Sequence, residues 1–429
     1  MKKATLVRGA RQLLTLHGSA TGPRSGSDLE KLGIIEDGSV LIVNGTIRAV
    51  GPTRRIENLA EARNAELISA SGQIVVPGLV DAHIHLTGLP ARNQLRSTHR
   101  GYGTQTGELE RSQGNLALMQ YIRTTTANAL AFQAKRYVDI AVRHGTTTLE
   151  VKAGTAFNVS GELKVLRAIA SLAAGPADII VSYVAGQLPG VDQANKHEYL
   201  QWVYEEIIPR LKDRKAAKFL EVKCGKDSLR ANDCSILVDA ARRSGMAIKV
   251  HVAGGEENSE AIELALSTQA VAVGGVQRLS KQDIDLLGHA RTLVTFTPGV
   301  PQSGNQSPVA EGLVRQLIDA GAAIALGSGF TPSAESTCSM QFIIFLACAE
   351  LGMAPEEAIT AATVNAAHAS GVASRCGSIE FGKQADLCIL DIPDYRDLAV
   401  RVGTNLISTV IRKGEILYEA RTLPSPVKS

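Results

Sequence analysis

The chain has 429 residues, of which 45% are hydrophobic and 20% charged, and a net charge of +3 at pH 7. That length excludes one small domain and suits a large barrel with an appendage, or two domains. The near-neutral charge gives no reason to expect a nucleic-acid or membrane partner, and no run of about 18 apolar residues is present to cross a bilayer.

The basic start, residues 1–11, reads as a strand and not as a targeting peptide, because it lacks a long apolar stretch and a small-residue cleavage site. Residues 40–43 and 46–50 flank Asn44-Gly45, a dipeptide that favours a tight type I′ hairpin. Residues 67–70 and 73–76 read as further short strands.

From about residue 75 to 370 the pattern changes. Apolar strands are predicted at 78–82, 146–151, 179–184, 219–222, 247–250, 270–273, 293–296 and 323–326. Segments of helical periodicity separate most of them, for example 228–244 and 309–320. A further helix is predicted over 355–368, with Pro355 at its start, Glu356 and Glu357 in its first turn and Gly371 past its end. Repeated strand-then-helix units argue for a parallel sheet, and eight of them suit a closed barrel. The polar, Gly-rich stretch 92–114 follows the first strand and is expected as a long loop over the barrel mouth.

After about residue 376 strands return, at 386–390, 410–412 and 416–418, and the tail 422–429 is expected to be disordered. The predicted fold class is therefore α/β. A (β/α)8 TIM-type barrel spans 75–375, and a small composite β-sandwich is built from 1–74 plus 376–429. The six cysteines, Cys224, Cys234, Cys338, Cys348, Cys376 and Cys388, form no C-x-x-C pair and read as reduced thiols, which makes the cytoplasm the default compartment.

The strongest chemical signal is the run Val75-Val76-Pro77-Gly78-Leu79-Val80-Asp81-Ala82-His83-Ile84-His85. Alternate residues of a strand share a face, so His83 and His85 can point at one place in the C-terminal mouth of a barrel. Imidazole is a good ligand for zinc or iron.

This run resembles the first-strand metal motif of the amidohydrolase superfamily. Gly377-Ser378-Ile379-Glu380-Phe381-Gly382-Lys383-Gln384-Ala385-Asp386-Leu387 is similar to its C-terminal signature, and Thr363-Val364-Asn365-Ala366-Ala367 to its last-helix motif. Thr147-Thr148-Leu149-Glu150-Val151-Lys152-Ala153-Gly154, Glu162-Leu163-Lys164 and Val402-Gly403-Thr404-Asn405-Leu406 resemble segments of imidazolonepropionases. The resemblance covers nearly the whole chain. It implies hydrolysis of cyclic C–N bonds with metal-activated water. It also implies His251, in Ile248-Lys249-Val250-His251, as a third metal histidine beside His83 and His85. The implied cofactor is one divalent metal, zinc or iron. The implied partner is a small-molecule substrate of cyclic amide type, and a homodimer is expected by analogy.

The chain also departs from the pattern. Gly329 stands where the family ends its eighth strand in a catalytic, metal-binding Asp, so the general base is unassigned. Gly275 stands at the sixth-strand His, Gly186 at the third-strand His, and Thr155 at a substrate-binding Tyr. The acid that should follow His251 within three residues is absent, with Glu256 coming later. Glycine at three strand ends is expected to enlarge the pocket. Two readings follow: a site rebuilt for a substrate other than imidazolonepropionate, or a catalytically inactive homologue acting as a ligand-binding or partner subunit. A nucleobase deaminase is a weaker third reading, because it would need the same missing His and Asp.

Replacement groups are available. Glu221 and Lys223 share a face at the end of the fourth strand, where some relatives bridge two metals with Glu or a carboxylated Lys; an ordinary ion-paired strand end is the alternative. Glu335 follows the eighth strand and reads either as an acid swung inward or as a helix-start acid. Lys152 either binds a substrate carboxylate or pairs with Glu150 on its own face. Arg92 fits the place of a substrate-binding Arg in the first loop, with a solvated loop Arg as the alternative. His99 and His144 have no supporting context and read as surface residues.

Overall fold

The computed structural model describes residues 4–18, 22–88, 117–186, 194–225, 228–254, 259–300, 309–333 and 337–420. The chain opens with β1 (Ala4–Leu14), β2 (Ile34–Val43), β3 (Thr46–Pro52), β4 (Glu66–Ser69) and β5 (Ile74–Pro77). The hairpin between β2 and β3 turns at Asn44 and Gly45, both at positive φ (51° and 78°), as a type I′ turn requires. Eight strands follow: β6 (Leu79–Ile84), β7 (Thr146–Ala153), β8 (Asp178–Ala185), β9 (Phe219–Gly225), β10 (Ala247–Ala253), β11 (Ala272–Gly274), β12 (Leu293–Phe296) and β13 (Ile324–Leu326). Strands β14 (Leu387–Leu390), β15 (Ile407–Arg412) and β16 (Glu415–Glu419) complete the chain.

The two ends of the chain build one mixed eight-stranded sheet in the order β16-β15-β14-β5-β1-β2-β3, with β4 paired to β1. Val7, Leu13, Val40, Ile42, Ile47, Val75, Leu387, Ile389 and Ile411 form its own apolar core. Burial of each such aliphatic side chain contributes about 1.5–3 kcal/mol. The targeting-peptide alternative for the first residues gives way to β1, which pairs with β2, β4 and β5.

Strands β6 to β13 pair side by side, all parallel, in chain order. The seam between β13 and β6 is bridged just beyond the ladder. Gly329 N donates to His83 O at 2.8 Å and His85 N donates to Phe330 O at 2.8 Å. Helices cover the outside. Ala127–Arg143, for example, buries Leu130, Ala134, Val138 and Ala141 along one stripe, and the Thr126 side chain accepts Ala129 N–H at its start.

The single helix expected over 355–368 is two: Pro355–Ala361 and Val364–Ala369. The cause is tertiary. The Ala362 carbonyl accepts the Val80 N–H of β6 at 2.9 Å, and Thr363 leaves the helical region at φ −128°, ψ −90°. The second helix then packs Ala366, Ala367 and Ala369 against Val80, Ala82, Leu293, Ala323 and Ala325, at the N-terminal ends of the strands. Asn365 fixes it there, accepting Arg24 N and donating to Arg24 O and Ile324 O, each at 2.8 Å. One end of the barrel is thus packed shut, and chemistry belongs at the other.

All six cysteines are free. Among the described residues no helix is long and apolar enough to cross a membrane. The 92–114 loop with Arg92 and His99, the 422–429 tail, Glu256 and Glu335 lie outside the described residues.

Candidate metal centre

The first element of the site is a bulge. Between the pairs Asp81↔Leu149 and Ile84↔Val151, β6 has two residues, Ala82 and His83, where β7 has one, Glu150. A bulge re-aims side chains and leaves a ladder N–H unpaired. Here the unpaired group is the His83 N–H, and Asp81 Oδ1 accepts it at 3.1 Å. The same oxygen accepts Ser328 N–H, past the end of β13, at 2.8 Å. Asp81 therefore ties the first and eighth strands together behind the histidines. Its other oxygen is buried without a hydrogen bond, and burial pushes the carboxyl up to about 6. Nothing in the sequence reading assigned Asp81 this role.

Below the mouth lies a buried charge network. Lys152 Nζ lies 2.7 Å from Glu150 Oε1 and 2.6 Å from Glu221 Oε2. Lys249 Nζ lies 2.5 Å from Glu150 Oε2 and 4.7 Å from the centre of the Phe219 ring. Ser182 Oγ donates to Glu150 Oε1 at 2.6 Å. The β9–β10 register places Lys249 beside Glu221 and His251 beside Lys223. Burial alone would raise both carboxyls, but the lysines overcome it. Glu150 is held below its ordinary range by Lys152 and Lys249, and Glu221 well below, chiefly by Lys152. Burial pulls Lys249 down to about 8, against the attraction of Glu150.

Three largely buried imidazoles, those of His83, His85 and His251, stand above this floor. His83, Glu221 and His251 each offer a ligand atom, all within 4.8 Å of one another. His251 Nδ1 lies 3.3 Å from Glu221 Oε1, yet it is buried and makes no aligned hydrogen bond. A nitrogen and a carboxylate oxygen close together, with the nitrogen unsatisfied, is what two ligands of one cation look like without it. The donor set, two imidazoles and a carboxylate, is one that zinc and iron accept. Burial lowers all three imidazole pKa values, that of His85 to about 3, which favours the neutral, metal-binding form.

The predicted residues are thus placed as follows. His83 and His251 converge, and Glu221 joins them. His85 lies beside the cluster, its ring centre 5.4 Å from that of His83. Lys223, two residues past Glu221, is half-exposed. It makes no side-chain ion pair among the described residues, and burial lowers its pKa. Lys152 is buried and pairs with Glu150, as the second of its two readings expects, and also with Glu221. His144 is half-buried, with its carbonyl accepting from Gln341 Nε2 at 3.1 Å, so it is not a simple surface residue.

At the glycines expected to enlarge the pocket, the place of a Cβ is already met by neighbouring atoms. Gly186, Gly275 and Gly329 all sit at positive φ (99°, 72° and 65°). A Cβ at Gly186 would lie 2.9 Å from Lys223 O and from Ser228 Oγ; at Gly329 it would lie 2.4 Å from Val300 Cγ2. The neighbouring atoms have closed into the space that a side chain would take.

Behind the second strand, Glu162 braces the turn that follows β7. Its Oε1 accepts Ala156 N and Phe157 N at 2.8 and 3.1 Å, while Oε2 is buried and unpaired. Burial pushes this carboxyl from an ordinary 4.5 up to about 7. A raised carboxyl pKa stabilises the fold fully below the unfolded value and loses that contribution as pH rises through the folded value. Between pH 4.5 and 7 the loss is on the order of 3 kcal/mol. Denaturant unfolding at pH 5 and pH 8 should show Glu162→Gln with a distinctly smaller pH dependence than the parent. Equal dependence in both proteins would exclude Glu162 as the source.

A model of the amidohydrolase family matches residues 74–417. The chain is 34% identical to an imidazolonepropionase of Brevibacillus brevis, over 97% of this chain and 98% of the relative. It is 35% identical to an imidazolonepropionase of Geobacillus kaustophilus, over 96% and 97%. Among solved structures it is similar to a triazine hydrolase from Arthobacter aurescens (TM-score 0.72, 15% identity, 97% and 95% covered). It is also similar to an adenosine deaminase from Xanthomonas campestris with bound zinc (TM-score 0.67, 18% identity, 96% and 92% covered). At those identities the two structures speak for the fold alone.

Proposed function

The chain belongs to the amidohydrolase family, and from that premise we propose that it hydrolyses a cyclic C–N bond, of the non-peptide amide or lactam kind, in a small molecule other than imidazolonepropionate. The observation that carries this reading is the convergence of His83, Glu221 and His251 at the C-terminal side of the barrel strands. A divalent ion held by these three residues, zinc or iron, would polarise a carbonyl and acidify water there.

The chain's own residues prepare that place. Lys152 takes Glu221 Oε2 and leaves Oε1 on the side of His251. Glu150 balances Lys152 and Lys249, so two carboxylates meet two ammoniums and the floor carries no net charge. His85 stands next to the cluster as a further ligand or as a hydrogen-bond partner for substrate. Lys223, at the mouth and without an ion pair among the described residues, supplies a donor for a polar substrate group.

The exclusion of imidazolonepropionate rests on the missing contacts. Gly186, Gly275, Gly329 and Thr155 offer none of the side chains that the family pattern uses, and at the glycines this chain's own atoms fill the Cβ positions. An unpaired polar substrate group costs orders of magnitude in rate.

Zinc-reconstituted protein should open the ring of at least one compound in a panel of hydantoins, dihydropyrimidinones and lactams, followed by loss of ring absorbance. His83→Ala should abolish that activity. Imidazolonepropionate should turn over at least about a hundredfold more slowly. Zinc uptake without any ring opening would favour the inactive, ligand-binding homologue, to which the lack of a carboxylate at Gly329 points. Fast turnover of imidazolonepropionate would overturn the substrate exclusion.

A further inference from the structure

Gly275 follows β11 and lies against the ring of His251. It has φ +72°, and a Cβ built on it would lie 2.4 Å from Val252 O, 2.6 Å from His251 Nε2 and 2.8 Å from His251 Cδ2. All three distances are shorter than real Cβ contacts, so something would have to move. Val252 O is backbone within β10 and is the less able to yield. The imidazole is the movable part, and it has little room. Its other edge carries Nδ1, 3.3 Å from Glu221 Oε1, and the His83 ring centre is 6.0 Å away. Glu221 cannot retreat either, because Lys152 holds its second oxygen at 2.6 Å.

We propose, resting on the metal-centre reading above, that Gly275 is a positioning residue for that centre: the space left by its missing side chain receives the Nε2 edge of His251 and so sets Nδ1 as the nitrogen presented to Glu221. The glycine is then a working part of the site and not an erosion of it. Any side chain at 275 meets both Val252 O, on the residue next to His251, and the ring itself, so accommodating it shifts the end of β10, drives the ring toward Glu221 or turns it out of the cluster, and in each case the ligand set is broken while His83, Glu221 and His251 are all still present. Left-handed backbone at this position adds a separate, purely conformational cost.

The two effects separate experimentally. Gly352 has a similar φ, +67°, with nothing within 4 Å of its Cβ position, so Gly352→Ala carries the backbone cost alone. Zinc affinity of the full chain is measured by competition with a chromophoric chelator, and the ligand field from the visible spectrum of the cobalt form. Gly275→Ala should weaken zinc binding by about ten- to a hundredfold, as loss of support to a ligand does, and alter the cobalt spectrum. Gly352→Ala should lower the unfolding midpoint and leave both metal readouts at parental values. Parental affinity and spectrum in Gly275→Ala would overturn the proposal and leave the metal centre standing. Failure of the parent itself to take up zinc or cobalt would overturn the metal centre, and this inference with it. If Gly275→Ala does not fold, the same change is made in a His251→Ala chain. Recovery of folding there supports the ring contact, and equal failure in both backgrounds overturns it.

Discussion

Glu221→Gln is expected to lower zinc affinity by at least about a hundredfold while the chain stays folded. Glutamine keeps the shape of the side chain but removes its charge, and two neighbours depend on that charge. Lys152 loses one of two buried counter-ions and retains Glu150 at 2.7 Å. A metal held there would lose the only carboxylate in the cluster of His83, Glu221 and His251 found among the described residues. His83→Ala should have an effect at least as large, because it removes a ligand outright. Metal content after dialysis, together with affinity by chelator competition, reads both. Full zinc occupancy in Glu221→Gln at parental affinity would mean that the fourth-strand carboxylate is a partner of lysine only, and among the described residues His85, beside the cluster, would be the next candidate for a third ligand. Because Glu221 sits on β9 while Gly329 follows β13, this result decides whether a carboxylate from another strand has taken over from the missing one.

Glu150→Ala should be the most destabilising single change in the barrel interior. Glu150 is fully buried and meets three groups: Lys152, Lys249 and Ser182. Its removal leaves Lys249 without its carboxylate partner and Lys152 with only Glu221. Breaking a buried pair in this way costs about 3–5 kcal/mol, because an uncompensated charge stays behind. Urea midpoints at constant slope measure the loss. The charge-balanced double variant Glu150→Gln/Lys249→Met should recover much of it, since the two residues form one network and their effects are not additive. A loss below about 1 kcal/mol in Glu150→Ala would show that water or a shifted lysine relieves the charge, and the floor of the site would then be less rigid than its distances imply.

Much of the architecture was legible without coordinates. All eight barrel strands were readable as short apolar runs, because a strand covered on both faces must be apolar, and helical periodicity filled the gaps between them. Asn44-Gly45 announced its hairpin through backbone preference alone. His-x-His announced a shared face through the two-residue period of a strand. Each of these signals is local, written within a few residues of itself.

The rest needed the tertiary structure, and the reason is register. Periodicity tells which face a side chain occupies but not which residue of the next strand stands opposite. Lys152 pairs with Glu221 across 69 positions and Lys249 with Glu150 across 99, so the partners of Lys152 could not all be read from the segment around it. The break between the helices Pro355–Ala361 and Val364–Ala369 exists because the distant Val80 N–H claims the Ala362 carbonyl. The role of Asp81 depends on a bulge and on Ser328, 247 positions away. The glycines show the limit most plainly. Their letters report a lost side chain, but only the packed neighbours decide whether the loss leaves a hole, and at Gly275 the His251 ring is in it. Sequence by itself thus determined the barrel and the histidine pair, which follow from local chain chemistry, while closure of the barrel gathered His83, Glu221 and His251, because only closure brings distant strand ends to one point.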